Sequence, residues 1–235
     1  MIGRGRVGYL ADHLQQTGAA ELPPAVEFPA VPAPVIPPLL AGRKIAIARD
    51  AAYGFIYPAN VDTLRALGAE LAFFSPLAGD ALPAGCDGVW LPGGYPELHG
   101  AALAANAGLW AGLRAHVAAG KPVLAECGGL MSLLEAIVDK AGVEHTFAGL
   151  LPGRAVMQKR LAALGMQEVD LPGGRLTGHT FHYSQTETPL APWLRARRPD
   201  GGEGEAIYRS GPITASYVHF WFPSNPAAVA GLFGA

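Results

Sequence analysis

Cysteine is scarce in this sequence. There are two in 235 residues, Cys86 and Cys127, too few for a disulfide framework. Basic charge is not in excess either: 17 Lys and Arg face 19 Asp and Glu, for a formal charge of −2, so the electrostatic footprint of a nucleic-acid binder is missing. No apolar run reaches the roughly 18–20 residues that a membrane span needs, and the N-terminus lacks the charged-then-apolar order of a signal peptide. These absences lead us to expect a chain of the reducing cytoplasm, with no nucleic-acid and no membrane partner. The spacings C-x-x-C and H-E-x-x-H do not occur, so no metal is expected. Neither G-x-x-x-x-G-K-[ST] nor a strand-borne G-x-G-x-x-G is present, so nothing here is expected to hold a nucleotide. What the chain does have is apolar material, 50% of its residues, enough for a sizeable core.

Proline and glycine are abundant, 21 and 31, and unevenly placed. Seven prolines fall between Pro23 and Pro38, a stretch with little charge and no helical or alternating period. It reads as a stiff, extended linker of polyproline type. The residues before it hold at most one short helix, near 8–14. The tail of an upstream domain and an ordinary frayed terminus are both compatible with this layout. The expected division is a remnant plus linker over 1–42 and one domain over 43–235.

From residue 43 onward, apolar runs at 44–49, 69–74, 88–91 and 122–125 read as buried strands. Helical patterns occupy 58–68, with Pro58 in the first turn and Gly68 at the end, then 96–119 and 130–138. Strands alternating with helices predict an α/β fold, a flavodoxin-like, doubly wound and mostly parallel sheet with helices on both faces. Further strands are predicted at 175–184 and 213–220, a polar loop or hairpin at 195–205, and a last helix opened by Ser224-Asn225-Pro226.

Cys127 falls where the fourth strand turns into a helix, in the string Glu126-Cys127-Gly128-Gly129. That is the layout of a nucleophile elbow. The tight turn needs small neighbours, the helix N-terminus favours a thiolate, and the Gly128 N–H is free to donate to a developing oxyanion. Cys86 has no such context and is assigned to packing. Among seven histidines, His219 is favoured as the base because it ends a strand ahead of Pro223-Ser224-Asn225-Pro226, at the sheet edge where sites gather. His179 and His182 are rivals, placed on opposite faces of their strand by their spacing. Gly93 and Gly94, after the third strand, permit close backbone approach; they read either as a second oxyanion donor or as a plain turn. A second copy, Pro172-Gly173-Gly174, reads as a turn.

Five segments together carry a resemblance: Tyr57-Pro58-Ala59-Asn60, Leu91-Pro92-Gly93-Gly94-Tyr95-Pro96-Glu97-Leu98-His99, Ala125-Glu126-Cys127-Gly128-Gly129-Leu130-Met131, Gly178-His179-Thr180-Phe181-His182-Tyr183-Ser184 and Ala215-Ser216-Tyr217-Val218-His219-Phe220. They resemble a class I glutamine amidotransferase domain of the triad type. More narrowly, they resemble the C-terminal glutaminase domain of the cobyrinic (or hydrogenobyrinic) acid a,c-diamide synthases of cobalamin biosynthesis.

The resemblance implies that Cys127 attacks the side-chain amide of L-glutamine and that His219 relays the proton. It implies that backbone N–H groups of Gly93, Gly94 and Gly128 hold the oxyanion. It also implies an ATP-binding P-loop synthetase domain, with ATP and Mg and the corrinoid acceptor, outside this chain, and no cofactor within it. Many class I domains carry a glutamate two residues after the histidine, and the resembling branch commonly a second histidine. Here that position is Trp221, which implies a Cys–His dyad and leaves the orienter of His219 open. Three other readings stand beside this one. They are the glutaminase domain of a related tetrapyrrole or cobyric acid amidase, a non-catalytic docking module for a synthetase, and a cysteine hydrolase on a similar sheet.

Overall fold

The computed structural model describes residues 4–19, 21, 24–28 and 35–235. Part of the Pro-rich stretch, residues 22, 23 and 29–34, lies outside the described residues. The chain divides into two compact units, Met1–Val35 and Ile36–Ala235. The first contains the helix α1, Arg4–Gln16, longer than the short helix expected at 8–14. Its last turn is closed by the Thr17 hydroxyl, which donates to the His13 carbonyl at 2.8 Å.

The second unit is built on a ten-stranded sheet. In chain order its first elements are β1 (Lys44–Ala48), α2 (Pro58–Ala66), β2 (Glu70–Phe74) and β3 (Gly88–Leu91). Then come a 3₁₀ turn (Pro96–His99), α3 (Gly100–Ala105), α4 (Ala107–Ala118), β4 (Val123–Glu126) and α5 (Gly128–Leu133). Short strands β5 (Ala136–Val138), β6 (Glu144–Thr146) and β7 (Arg154–Met157) precede the long pair β8 (Ala163–Leu171) and β9 (Gly174–His182). The chain ends with β10 (Ser184–Glu187), β11 (Leu194–Arg197), β12 (Glu203–Ser210), β13 (Ile213–Ser216), β14 (His219–Phe220) and α6 (Pro226–Leu232).

The large sheet runs β2-β1-β3-β4-β13-β12-β11-β8-β9-β14. Its first five strands are mutually parallel. This is the 2-1-3-4-5 order of a flavodoxin-like fold, as expected, and its crevice opens at the carboxyl ends of the strands where the order reverses. The next five strands pair antiparallel and extend the sheet beyond β13. A small second sheet, β10-β7-β5-β6, stands apart.

Alternation along β1 explains the layering. Ile45 and Ile47 pack with Leu64, Leu67, Phe222 and Val229 on one face, under α2 and α6. Ala46 and Ala48 pack with Leu103, Leu109, Leu113 and Leu130 on the other, under α3, α4 and α5. Strands covered on both faces must be apolar throughout, and β3 and β4 are buried along their whole length.

Four expected elements are subdivided, the strand over 175–184 ending at His182 with Ser184 opening β10 in the other sheet. The helix over 96–119 breaks at Asn106, whose side chain caps α4 by accepting from Leu109 N at 3.1 Å while donating to the carbonyls of Pro76 and Asp80. The helix over 130–138 stops at Leu133, and Ala136–Val138 becomes β5. A short apolar run has no period that separates helix from strand, and the β-branched Ile137 and Val138 find partners in β6 and β7. The strand over 213–220 divides after Ser216, whose hydroxyl accepts from Val218 N at 3.1 Å. The chain then crosses to pair β14 antiparallel with β9. The 195–205 segment is the hairpin of β11 and β12, Pro172-Gly173 is the turn between β8 and β9, and Asn225 caps α6. Among the described residues no helix is long and apolar enough to cross a membrane.

Candidate active site

Cys127 ends β4 at the carboxyl edge of the parallel core. It has φ 47° and ψ −105° and is the only non-glycine residue with positive φ among those described. Such a backbone costs on the order of 1–3 kcal/mol and needs surroundings that enforce it. Two hydrogen bonds do so: Cys127 N donates to Ser216 O at 2.7 Å, and Met131 N donates to Cys127 O at 3.0 Å. The flanking glycines are required by space. A methyl group on Gly129 would run into the Leu91 carbonyl, and one on Gly128 would lie 2.8 Å from Pro96 Cδ and 3.0 Å from Gly94 O. The turn after β3 is thereby packed directly on the elbow.

His219 lies on β14, in register with His179 of β9. The two rings stack at 5.0 Å with 23° between planes, and the Phe55 ring covers His219 at 4.3 Å. Gly93 sits so close to the imidazole that any side chain there would collide with it. Gly93 O accepts from Phe55 N at 3.0 Å, while Gly94 N makes no backbone hydrogen bond among the described residues.

The peptide after His219 is held from two directions. Phe220 N donates to Glu126 Oε1 at 3.0 Å, and Phe220 O accepts from Asn60 Nδ2 at 2.8 Å. Asn60 Oδ1 also accepts from Phe222 N at 2.8 Å. Glu126 and Asn60 are each 1% exposed; from sequence Glu126 stands out only as the acid beside the cysteine in the cysteine-hydrolase reading, and Asn60 not at all. Trp221 turns outward against Tyr57, so it does not orient the imidazole. His219 Nδ1 is buried without a hydrogen-bond partner among the described residues.

Cys127, His219, Gly94, Glu97, Phe55 and Phe181 border one cavity of about 150 Å³. Burial governs the charge state there. It pushes the Cys127 thiol up to about 12, against a hydrogen bond from Gly128 N–H; Glu97, Glu126 and Glu205 raise it further. Burial, with the neighbouring His179 and His182, pulls His219 down to about 3. The resting pair at neutral pH is therefore an uncharged thiol and an uncharged imidazole. Burial thus runs against the expectation of a thiolate held by the helix, and α5 is only six residues long. The thiol in fact points to Phe181 O, at 4.0 Å.

His179 and His182 both border the cavity, despite a spacing that predicted opposite faces. β14 pairs with β9 only up to His179, so the end of β9 beyond it is an open edge that the cavity wraps. His179 Nδ1 meets the Tyr57 hydroxyl at 3.1 Å. His182 Nδ1 faces Ser184 O at 2.8 Å, its Nε2 lies 3.0 Å from Glu205 Oε1, and its ring stacks on Tyr217 at 3.7 Å. Cys86 is buried elsewhere, its sulfur 3.7 Å from His116 Nδ1. Among the described residues no three His, Cys, Asp or Glu side chains form a group that could hold a metal ion.

The profile of the CobB/CobQ-like glutamine amidotransferase domain matches residues 44–227. The chain is 54% identical over 228 residues to the hydrogenobyrinate a,c-diamide synthase of Stutzerimonas stutzeri, covering 97% of this chain and 53% of that protein. Against the synthase of the same name from Pseudomonas aeruginosa, identity is 52% over 231 residues, with 97% and 52% covered. Against the cobyrinate a,c-diamide synthase of Herminiimonas arsenicoxydans it is 48% over 196 residues, with 83% and 45% covered. The chain thus spans about half the length of the curated relatives it matches. Among solved structures, a glutamine amidotransferase superposes with a TM-score of 0.56 at 20% identity, covering 80% of this chain and 96% of that one. The likeness to solved structures concerns the fold alone.

Proposed function

The chain belongs to the CobB/CobQ-like glutamine amidotransferase domain family, and on that premise we propose that it hydrolyses L-glutamine to glutamate and ammonia through a thioester on Cys127. The observation that carries the reading is the shared cavity. A cysteine on a strained, glycine-flanked elbow and a histidine on β14, at the far edge of the same sheet, both open into it. Because both groups rest uncharged, His219 takes the thiol proton as the Sγ–Cδ bond forms. The same proton passes to the leaving nitrogen as the C–N bond breaks, and ammonia departs. Water, deprotonated by His219, then cleaves the thioester to glutamate and restores the thiol. Backbone N–H groups of Gly128 and of the Gly93-Gly94 turn receive the oxyanion.

The ammonia serves an ATP-dependent a,c-diamidation of cobyrinic or hydrogenobyrinic acid in the cytoplasm. The names of the relatives, and the half of their length that this chain does not span, support that destination. ATP, Mg and the corrinoid belong to a P-loop synthetase segment, since this chain has no P-loop sequence to hold a nucleotide. In this reading 43–235 is the glutaminase domain, and 1–42 is the end of the synthetase with its linker.

Glutamate release tests the proposal. It should vanish in Cys127→Ala and fall by about 10²–10⁴ in His219→Ala. Release that persists in Cys127→Ala overturns it.

A further inference from the structure

Glu97 is the only acidic side chain bordering the cavity among the described residues. It stands on the 3₁₀ turn that follows Gly94, half-buried, and it forms no ion pair and no side-chain hydrogen bond to another described residue. An ionised carboxylate in such a place carries an uncompensated burial cost. Burial accordingly raises its pKa, while Lys140 and His99 draw it back.

Lys140 comes from a different element, the turn between β5 and β6. That turn is fixed by Asp139, which accepts from Ala141 N at 2.8 Å and Val143 N at 2.9 Å. Lys140 Nζ lies 4.9 Å from the centre of the Tyr183 ring, and Tyr183 is part of the cavity wall. The acid borders the cavity itself; the base is an exposed side chain just outside it, over the ring of one wall residue. Lys140 favours the charged form of Glu97, yet no ion pair joins them.

We propose that Glu97 and Lys140 are the head-group subsite for a free α-amino acid, Glu97 taking the α-ammonium and Lys140 the α-carboxylate, so that the side-chain amide reaches Cys127. This deepens the glutaminase reading and rests on it. Met131, Met157 and Phe181 supply an apolar wall for the methylene stem between head group and amide. The pairing also couples recognition to chemistry. Of the charges that disfavour the Cys127 thiolate, Glu97 is the strongest, and an ammonium seated on it removes that opposition. A substrate without the ammonium leaves the thiol unprimed.

Alkylation of Cys127 in the full chain tests this with two chloromethyl ketones. One is L-2-amino-4-oxo-5-chloropentanoate, which carries the amino-acid head group; the other is chloroacetone, which does not. The wild type should react much faster with the first. Glu97→Gln and Lys140→Met should each slow that reaction by about 10- to 100-fold while chloroacetone reacts at the wild-type rate or faster. Glu97→Asp should recover part of the loss, and glutamate release should show KM raised more than kcat is lowered. Amino-acid probe rates within about twofold of wild type in both variants overturn the proposal. An equal loss with both probes also overturns it, because the wall would then be structural only. If Cys127→Ala still releases glutamate, the glutaminase reading itself falls. If release depends on Cys127 but not on Glu97 or Lys140, only the subsite falls.

Discussion

The carboxyl group of Glu126 accepts the backbone N–H of Phe220 at 3.0 Å, across the sheet from its own strand. The residue before the nucleophile therefore holds the residue after the proposed base. Its second oxygen accepts from Trp90 Nε1, also at 3.0 Å, so strands β3, β4 and β14 meet at one buried acid. Asn60 grips the same segment from α2. Cys127 and His219 are 92 residues apart in sequence, and these contacts are what fix their relation.

Burial pushes Glu126 up to about 8, against its two N–H donors. Between the ordinary carboxyl value and about 8, the native chain holds a proton that the unfolded chain has released. Stability therefore falls as pH rises through that window. The depressed His219 acts in the opposite sense, but only below about 6.5, where an unfolded imidazole binds a proton that the native one refuses. Above pH 6.5 the slope belongs to Glu126. The melting temperature should decline from pH 6.5 to 8, and Glu126→Gln should flatten that decline.

Asn60→Ala removes the donor for Phe220 O and the acceptor for Phe222 N in a buried place. The expected loss is about 1–3 kcal/mol for each group left unpaired, read by chemical denaturation. Glutamate release should fall as well, because the His219 segment loses one of its two tethers.

Gly93→Ala drives a methyl group into the His219 ring. Glutamate release should drop by at least about tenfold, since ångström-scale misplacement of a reacting group is costly. A crystal structure of the variant should show the imidazole displaced and the Cys127 elbow unchanged.

A thiol raised to about 12 has a thiolate fraction that climbs tenfold per pH unit through the neutral range. Alkylation of Cys127 by iodoacetamide, followed by mass spectrometry, should rise log-linearly from pH 7 to pH 10. A stable thiolate–imidazolium pair would instead give a plateau near neutrality, and that result would refute the uncharged resting pair.

His182→Ala leaves the Glu205 carboxylate with Thr180 Oγ1 as its side-chain donor, at 3.0 Å. The two side chains are largely buried, 7% and 16% exposed, so leaving the Glu205 acceptor without this partner should cost about 1–3 kcal/mol in a denaturation experiment. It should cost more than Glu205→Gln, which keeps an acceptor for the ring.

Much of the parallel core was legible from pattern alone. β1, β3 and β4 are short apolar runs closed by turn residues, and α2 carries Pro58 at its start and Gly68 just beyond its end. Covered on both faces, such strands have no choice but to be apolar, so burial writes itself into composition. The elbow was legible too, because a backbone this tight admits only small neighbours, and Gly128 and Gly129 announce it. Where several structures satisfy the same pattern, reading failed. The run from Leu133 to Val138 fits helix or strand, and its outcome depended on whether β6 and β7 stood ready to pair with it. Asn106 has the chemistry of a cap, but only its contacts with Pro76 and Asp80 make the helix break there.

By itself, then, the order of residues determined a doubly wound α/β domain with a cysteine on a bend, because local backbone geometry and two-sided burial leave marks on neighbouring positions. The tertiary structure alone decided that Glu126 and Asn60 anchor the His219 segment, that His179 and His182 share one cavity with Cys127, and that burial works against the thiolate. Each of these depends on distance through space and on exclusion of water, and neither quantity is a property of adjacent residues.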